Sequence, residues 1–216
     1  MGTIAHCGRL GEEGSGNVID VRSGPGVSLD VERILDGRRF LVTGSSCGVC
    51  GRRSIDDLVA RVGTVESGPA LSPDVVARSV ESLRAVQPNF DRSGGVHAAA
   101  AFDRAGALLA CHEDVGRHNA VDKVVGELVH RRLVGAGRQG IEAGRPALLA
   151  VSGRSSFEIV QKAAAAGIGV VASVSASSSL AVDLANAAGI TLAAFVRGTT
   201  LNVYTHPERL GLSSAG

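Results

Sequence analysis

Ala147 to Val151 is an unbroken apolar run that stops at Ser152-Gly153-Arg154-Ser155-Ser156, where a helix begins. Ile168 to Val174 repeats the device, followed by Ser175-Ala176-Ser177-Ser178-Ser179 and a helix from Leu180 to Ala188. Apolar runs without alternation belong to strands covered on both faces, and strands joined through helices pair in parallel. Ile190 to Val196 and Leu201 to Tyr204 read as two more strands. Upstream, Ala98 to Phe102 and Ala107 to Cys111 flank Asp103-Arg104-Ala105-Gly106 as a hairpin. A polar run, Glu113 to Asn119, then leads into a helix carrying Val121, Val124, Val125, Leu128 and Val129. The second half is expected to be a layered α/β domain whose sheet is at least partly parallel.

The first half reads differently. Residues 1–16 are polar and Gly-rich and read as a loop, and Asn17 to Arg22 reads as a half-buried strand turned by Ser23-Gly24-Pro25-Gly26. Arg39 to Thr43 reads as a short strand, and Ser54 to Val59 as a helix start. Ser72-Pro73-Asp74 combines a cap, a first-position proline and an acid, opening a helix with Val75, Val76, Val80, Leu83 and Val86 at helical spacing. The division expected is 1–88 as an N-terminal part, 89–210 as the α/β domain and 211–216 as a frayed tail. The core must be built of Val, Leu, Ala and Ile, because aromatics are 3% of the chain and Trp is absent. A formal charge of +1 argues against nucleic acid as a partner. No stretch reaches the roughly 20 apolar residues a membrane helix needs. The N-terminus lacks a secretory pattern, so the cytoplasm is expected and the four cysteines are read as reduced thiols.

Two of those cysteines, Cys47 and Cys50, lie in Gly44-Ser45-Ser46-Cys47-Gly48-Val49-Cys50-Gly51, between a strand and a helix start and beside Arg52 and Arg53. A helix amino end and nearby cations lower a thiol's pKa. Three readings stay open. Structural zinc needs four ligands, and Cys7 and Cys111 are isolated. A thioredoxin-type redox pair has this spacing, but the βα alternation here follows the pair. A sulfur-carrying cysteine would hold a sulfane sulfur as a persulfide.

Other candidates lie at strand ends, where open α/β sheets bind ligands. Gly153-Arg154-Ser155 and Ser175 to Ser179 suit a phosphate, or simply cap helices, with Ser155 and Glu158 as a capping box. The 113–119 run is either a polar pocket wall or Asp114 as a cap with Arg117 and Asp122 as surface charges. His97 is either a core histidine or a ligand contact. No phosphate-binding Gly-Lys-Ser/Thr loop and no Gly-x-Gly-x-x-Gly after a strand is found, which disfavours ATP hydrolysis and nicotinamide redox chemistry. A zinc nucleobase deaminase needs His-x-Glu, and Ala99 stands in place of that glutamate. No resident metal is expected.

Taken together, SSCGVCG (45–51), GGVHAA (94–99), EDVGRHNAVDK (113–123), SGRSSFEIVQK (152–162), Ser178 to Val182, Phe195-Val196-Arg197 and Asn202-Val203-Tyr204 resemble the formate dehydrogenase accessory sulfurtransferase family, FdhD. The likeness runs in order from about residue 17 to 210. It implies a cytidine-deaminase-like layered mixed sheet with its zinc site lost, beside a smaller N-terminal α+β part carrying the CxxC loop. It implies sulfur transfer from a cysteine desulfurase, through a persulfide, to the molybdenum or tungsten bis-molybdopterin guanine dinucleotide cofactor of formate dehydrogenase. A homodimer is implied as well. By the same resemblance Cys47 is the persulfide carrier with Cys50 as its partner, and Phe195, Val196, Arg197, Gly198, Thr199 and Thr200 match a cofactor-binding stretch. Arg154, Ser155 and His97 are added as pocket-lining residues from the loop reading above. Ser177 stands where the family usually has proline and Ala194 where it has glycine, which would loosen those turns. The family also carries a further N-terminal segment, inside which this chain begins. Two alternatives in function are a non-catalytic cofactor chaperone and a thiol-disulfide oxidoreductase.

Overall fold

The structure, a computed structural model, describes residues 3–7, 18–28, 55–56, 59–60, 63–135 and 144–213. The chain divides into two compact units, Met1–Gly48 and Val49–Gly216. In the first unit, strands β1 (Ile4–Cys7) and β2 (Val18–Val21) pair antiparallel, Ile4 opposite Val21 and Cys7 opposite Val18. β2 lies within the strand expected there, whereas β1 corrects the reading of residues 1–16 as loop. Ile-Ala-His-Cys is too short to display alternation, and its ladder with β2 is what makes it a strand. The strand expected at 39–43, and Cys47 and Cys50 with their loop, lie outside the described residues.

In the second unit, α1 (Pro73–Ala85) starts as its sequence dictates: Ser72 is the N-cap, its hydroxyl accepting from the Asp74 amide at 3.3 Å, and Pro73 opens the first turn. A short helix, α2 (Pro88–Ser93), follows. The Glu113 carboxylate accepts from the amides of Asn89 (2.9 Å) and Phe90 (2.8 Å), capping α2 from a distant part of the chain. Next come β3 (His97–Phe102), β4 (Leu108–Asp114), α3 (Arg117–His130), β5 (Leu148–Val151), α4 (Phe157–Ala165), β6 (Val170–Ser173), α5 (Ser179–Ala188), β7 (Thr191–Arg197) and β8 (Thr200–Val203). A 3-10 turn over Pro207–Leu210 ends the described elements.

Among the described residues these strands form one six-stranded mixed sheet in the order β4-β3-β5-β6-β7-β8. β5, β6 and β7 are parallel, and β3 with β4, β3 with β5, and β7 with β8 are antiparallel. Asp103 closes the β3–β4 hairpin, its carboxylate accepting from the amides of Ala105 and Ala107 at 2.9 and 2.8 Å.

Successive strand residues serve opposite faces. Ala99, Ala101, Leu149, Val151, Val171 and Leu192 face the apolar sides of α3, α4 and α5. Ala98, Ala100, Ala150, Ala172 and Ala193 form a floor of small side chains under α1, with Phe102 and Leu148 in the same cluster. Each fully buried Leu or Phe contributes about 1.5–3 kcal/mol. Among the described residues, no helix is long and apolar enough to cross a membrane.

Candidate functional site

Strand direction decides which loops meet. The parallel β5, β6 and β7 end on one edge of the sheet. β3, antiparallel to β5, begins there, β4 ends there, and β8 starts there. That carboxyl edge therefore collects His97, the 114–119 run, Ser152 to Ser156, Ser175 to Ser178 and Phe195 to Thr200. Every sequence-predicted site residue outside the cysteine loop falls on this edge. His97 and Phe195 lie three strand spacings apart, about 14 Å.

At the β3–β5 junction, Ser152 Oγ accepts from the Ala98 amide at 2.9 Å, and the Ser152 amide donates to Ala98 O at 3.0 Å. This seats Gly153 against His97. A Cβ on Gly153 would stand 3.2 Å from His97 Nδ1 and 3.8 Å from Arg117 Cδ, so glycine is what leaves room for the imidazole. Arg154 is exposed on the same loop.

Beyond the strands, the β5–β6 register continues into the two serine loops. Val151 pairs with Ser173, and Ser155 pairs with Ser177 in a further parallel bridge. The Ser155 amide donates to Ala176 O, and Ser155 O accepts from the Ser178 amide, each at 3.1 Å. Ser155 is thereby held as strand, and the N-cap of α4 moves to Ser156. The capping box expected from Ser155 and Glu158 does not form. At α5 the capping reading holds, since Ser178 is the N-cap and its hydroxyl accepts from the Ala181 amide at 3.2 Å. Ser155 is fully buried and its hydroxyl has no partner among the described residues. The same is true of the Ser177 hydroxyl and of Arg117 Nε. Only Ser79 Oγ and Gln87 Nε2 share that condition, so this edge holds most of such described atoms. An unpaired buried hydroxyl costs about 1–3 kcal/mol.

The 114–119 run forms a tight knot. Asp114 accepts from the Gly116 amide (2.8 Å) and Asn119 Nδ2 (3.1 Å), and pairs with Lys123 at 2.6 Å. The Lys123 hydrogen bond, with the Gly116 amide, holds the Asp114 carboxyl down at about 2. Asp122 pairs with Lys162 of α4. His118 Nε2 meets Ser156 Oγ at 3.0 Å and Glu158 at 3.6 Å. Burial, then the Arg117 charge, pushes its pKa below the ordinary histidine value, so the ring is neutral at pH 7. Sequence reading treats Arg117 as either pocket wall or surface charge. Its buried Nε favours the wall.

On the far side of the edge, Phe195 has φ 54°, a left-handed conformation uncommon for a bulky residue, within a register shift of the β7–β8 ladder. Its amide donates to Ser175 O at 3.3 Å, tying β7 to the β6 loop, while the residue stays 39% exposed. Val196 turns into the core beneath α1, and Arg197 is exposed. Gly198 and Thr199 make the two-residue turn to Thr200, whose hydroxyl donates to Arg197 O at 2.9 Å. Backbone strain at an exposed aromatic is a recurrent mark of ligand contact. Cys111, in β4, is half-buried; burial, with Glu113 and Glu127 nearby, pushes its thiol up and keeps it protonated.

What this edge offers chemically is hydroxyls, two helix amino ends and the exposed guanidinium of Arg154, a donor set for an anionic or phosphate-bearing ligand. Comparison with known proteins gives a consistent picture. A family model described as the FdhD/NarQ family matches residues 15–211. The chain is 59% identical over 216 residues to a sulfur carrier protein FdhD of Anaeromyxobacter sp. (strain K), covering 99% of this chain and 73% of that one. It is 45% identical over 217 residues to the protein of the same name in Streptomyces avermitilis, covering 98% and 73%. Among solved structures it resembles a crystal structure from Desulfotalea psychrophila described as a formate dehydrogenase accessory protein. That match has a TM-score of 0.58 and 29% identity, over 70% of this chain and 62% of the other.

Proposed function

Because this chain belongs to the FdhD/NarQ family, we propose that it is a cytoplasmic sulfur carrier that serves the molybdenum or tungsten cofactor of formate dehydrogenase. The observation that carries the reading is the gathering of His97, Arg154, Ser155 and Phe195 to Thr200 on one sheet edge with unpaired donors among them. Cys47 attacks the terminal sulfur of a cysteine desulfurase persulfide. A new S–S bond forms on Cys47, the donor's S–S bond breaks, and the donor cysteine leaves as thiolate. The Cys50 thiolate then attacks the Cys47 sulfur, so that a Cys47–Cys50 disulfide forms, the bond to the outer sulfur breaks and that sulfur leaves as sulfide for the cofactor held as substrate; a thiol reductant restores the pair. The client is the bis-molybdopterin guanine dinucleotide form. Its phosphates suit the donors of the carboxyl edge, and the exposed Phe195 suits stacking against a base. The sheet is read as deaminase-like with its metal chemistry lost, and the working unit as a homodimer.

Intact-mass spectrometry after incubation with a cysteine desulfurase and cysteine tests this reading. The wild type should gain one sulfur that reductant removes, and Cys47→Ala should gain none. A folded wild type that gains nothing contradicts it.

A further inference from the structure

Two helices, α4 and α5, leave the sheet from the same residue type in the same backbone conformation. Ser156 (φ -96°, ψ 171°) and Ser178 (φ -79°, ψ 154°) are both extended N-caps. In α5 the Ala181 amide, three residues on, donates to Ser178 O at 3.0 Å and to the Ser178 hydroxyl at 3.2 Å. In α4 the equivalent Ile159 amide donates to Ser156 O at 3.1 Å, and no side-chain cap is made. The hydroxyl that would make it stands 3.0 Å from His118 Nε2 instead. A capping hydroxyl stabilises a helix by taking one of the amides its first turn leaves over, so His118 holds this one away from a favourable bond. We propose that His118 is a proton-operated latch on α4. Neutral, its Nε2 accepts from the Ser156 hydroxyl and keeps the helix uncapped; protonated, it turns to Glu158 and releases Ser156 to cap the Ile159 amide.

The second partner is already in place. Glu158 Oε2 lies 3.6 Å from the same Nε2, just beyond a hydrogen bond. A bare ring nitrogen can accept from a hydroxyl and gains nothing from a carboxylate, which makes Ser156 the partner of the neutral ring. An imidazolium carries a proton on that nitrogen, can no longer accept, and finds in the carboxylate a stronger acceptor than a hydroxyl. The ring changes partner with a small movement, and Ser156 is left in the extended conformation a cap requires. The charged groups around the ring are Arg117 and Asp122 of α3 and Glu158 and Lys162 of α4. Asp122 and Lys162 pair with each other and largely cancel. Burial and Arg117 are then left to hold the proton off, against Glu158, which draws it on. The amino end of α4 disfavours a cation as well. Acid is therefore what operates the latch: α4 is uncapped at pH 7 and becomes capped as the pH falls below the ordinary histidine value. The latch needs neither Cys47 nor a bound cofactor and is independent of the sulfur-carrier reading.

Nuclear magnetic resonance of the full chain, titrated from about pH 7.5 to about pH 5, tests the latch by following the His118 ring and the Ile159 amide together. The Ile159 resonance should move with the midpoint of the ring. Its exchange protection, corrected for the intrinsic effect of pH, should rise about fivefold as the ring charges. The Ala181 amide, capped throughout, should do neither. Ser156→Ala should leave the ring titrating and the Ile159 amide unresponsive, and Ser156→Thr, which keeps the hydroxyl, should restore the response. Glu158→Gln should lower the midpoint of the ring and weaken the Ile159 response. An Ile159 amide that ignores the titration of His118 would overturn the proposal. So would a response that persists in Ser156→Ala, which would be the field of the imidazolium alone, or a ring still neutral at about pH 5.

Discussion

Where β7 begins and β8 ends, Thr191 and Thr205 are buried and partnered; where β5 and β6 end, Ser155 and Ser177 have buried hydroxyls with no partner among the described residues. At the amino edge, Thr205 Oγ1 donates to Ile190 O (2.7 Å) and accepts from the Leu192 amide (2.9 Å). Thr191 Oγ1 donates to His206 O, and His206 in turn meets Glu208 and Asn186 O. Arg209 donates to the carbonyls of Val65 and Glu66, pinning the segment before α1. One end of the sheet uses its polar side chains to hold itself together, and the other keeps several in reserve. A fold retains unsatisfied groups against their cost where something else is to bind them.

The contrast is open to test. Its largest expected consequence lies at the amino edge: Thr205→Val should cost about 3 kcal/mol, because both the Ile190 carbonyl and the Leu192 amide lose their partner in a buried place. Urea unfolding should show it as a lower midpoint with an unchanged slope. A cost below about 0.5 kcal/mol would mean the amino edge is no better satisfied than the other. Within the carboxyl edge the capping serine should behave structurally. Ser178→Ala should lose about 1 kcal/mol through its cap, lowering the melting temperature by about 2–4 °C. Ser155→Ala, its neighbour across the bridge, should not. If both fall equally, the division between holding and reserved hydroxyls fails.

Acid should probe the 114–119 knot. Asp114 is depressed in the fold to about 2, so its contribution is fully present above the unfolded carboxylate range and is lost as pH falls through about 2. His118 is also depressed, and the unfolded chain binds its proton first. Its contribution is present above the ordinary histidine value near 6.5 and declines as pH falls below it. Asp114→Asn should therefore flatten the stability curve below pH 4 and leave the decline between pH 7 and 5 in place. An unaltered acid limb would remove Asp114 from the account. The smallest effect expected is Gly153→Ala. Its Cβ would crowd His97 Nδ1, and since the ring can give by a few tenths of an ångström the loss should stay under about 1 kcal/mol. A loss of several would show that His97 is locked in place.

Much of this was readable without coordinates because local rules and the final fold agree. Ser72-Pro73-Asp74 opens α1 as written, Asp103 closes its hairpin, and the apolar runs after Ala147 and Ile168 become parallel strands. The same holds for the position of the candidate residues on one edge, since placing loops at strand carboxyl ends needs only the order of strands and helices. What failed locally was decided by distant partners. β1 exists through β2, α2 is capped by Glu113, and the Ser155 cap was displaced because the ladder to Ala176 and Ser178 had already claimed its backbone. The pairing of Ser155 with Ser177 is a matter of register, and no serine count could have given it.

Amide hydrogen exchange with and without guanosine diphosphate tests most directly whether the carboxyl edge is the ligand edge. Protection should gather at 152–158, 175–181 and 195–200, with the amino-edge amides of 63–66 and 205–210 unchanged. Protection centred on the amino edge, or none anywhere at saturating nucleotide, would contradict it.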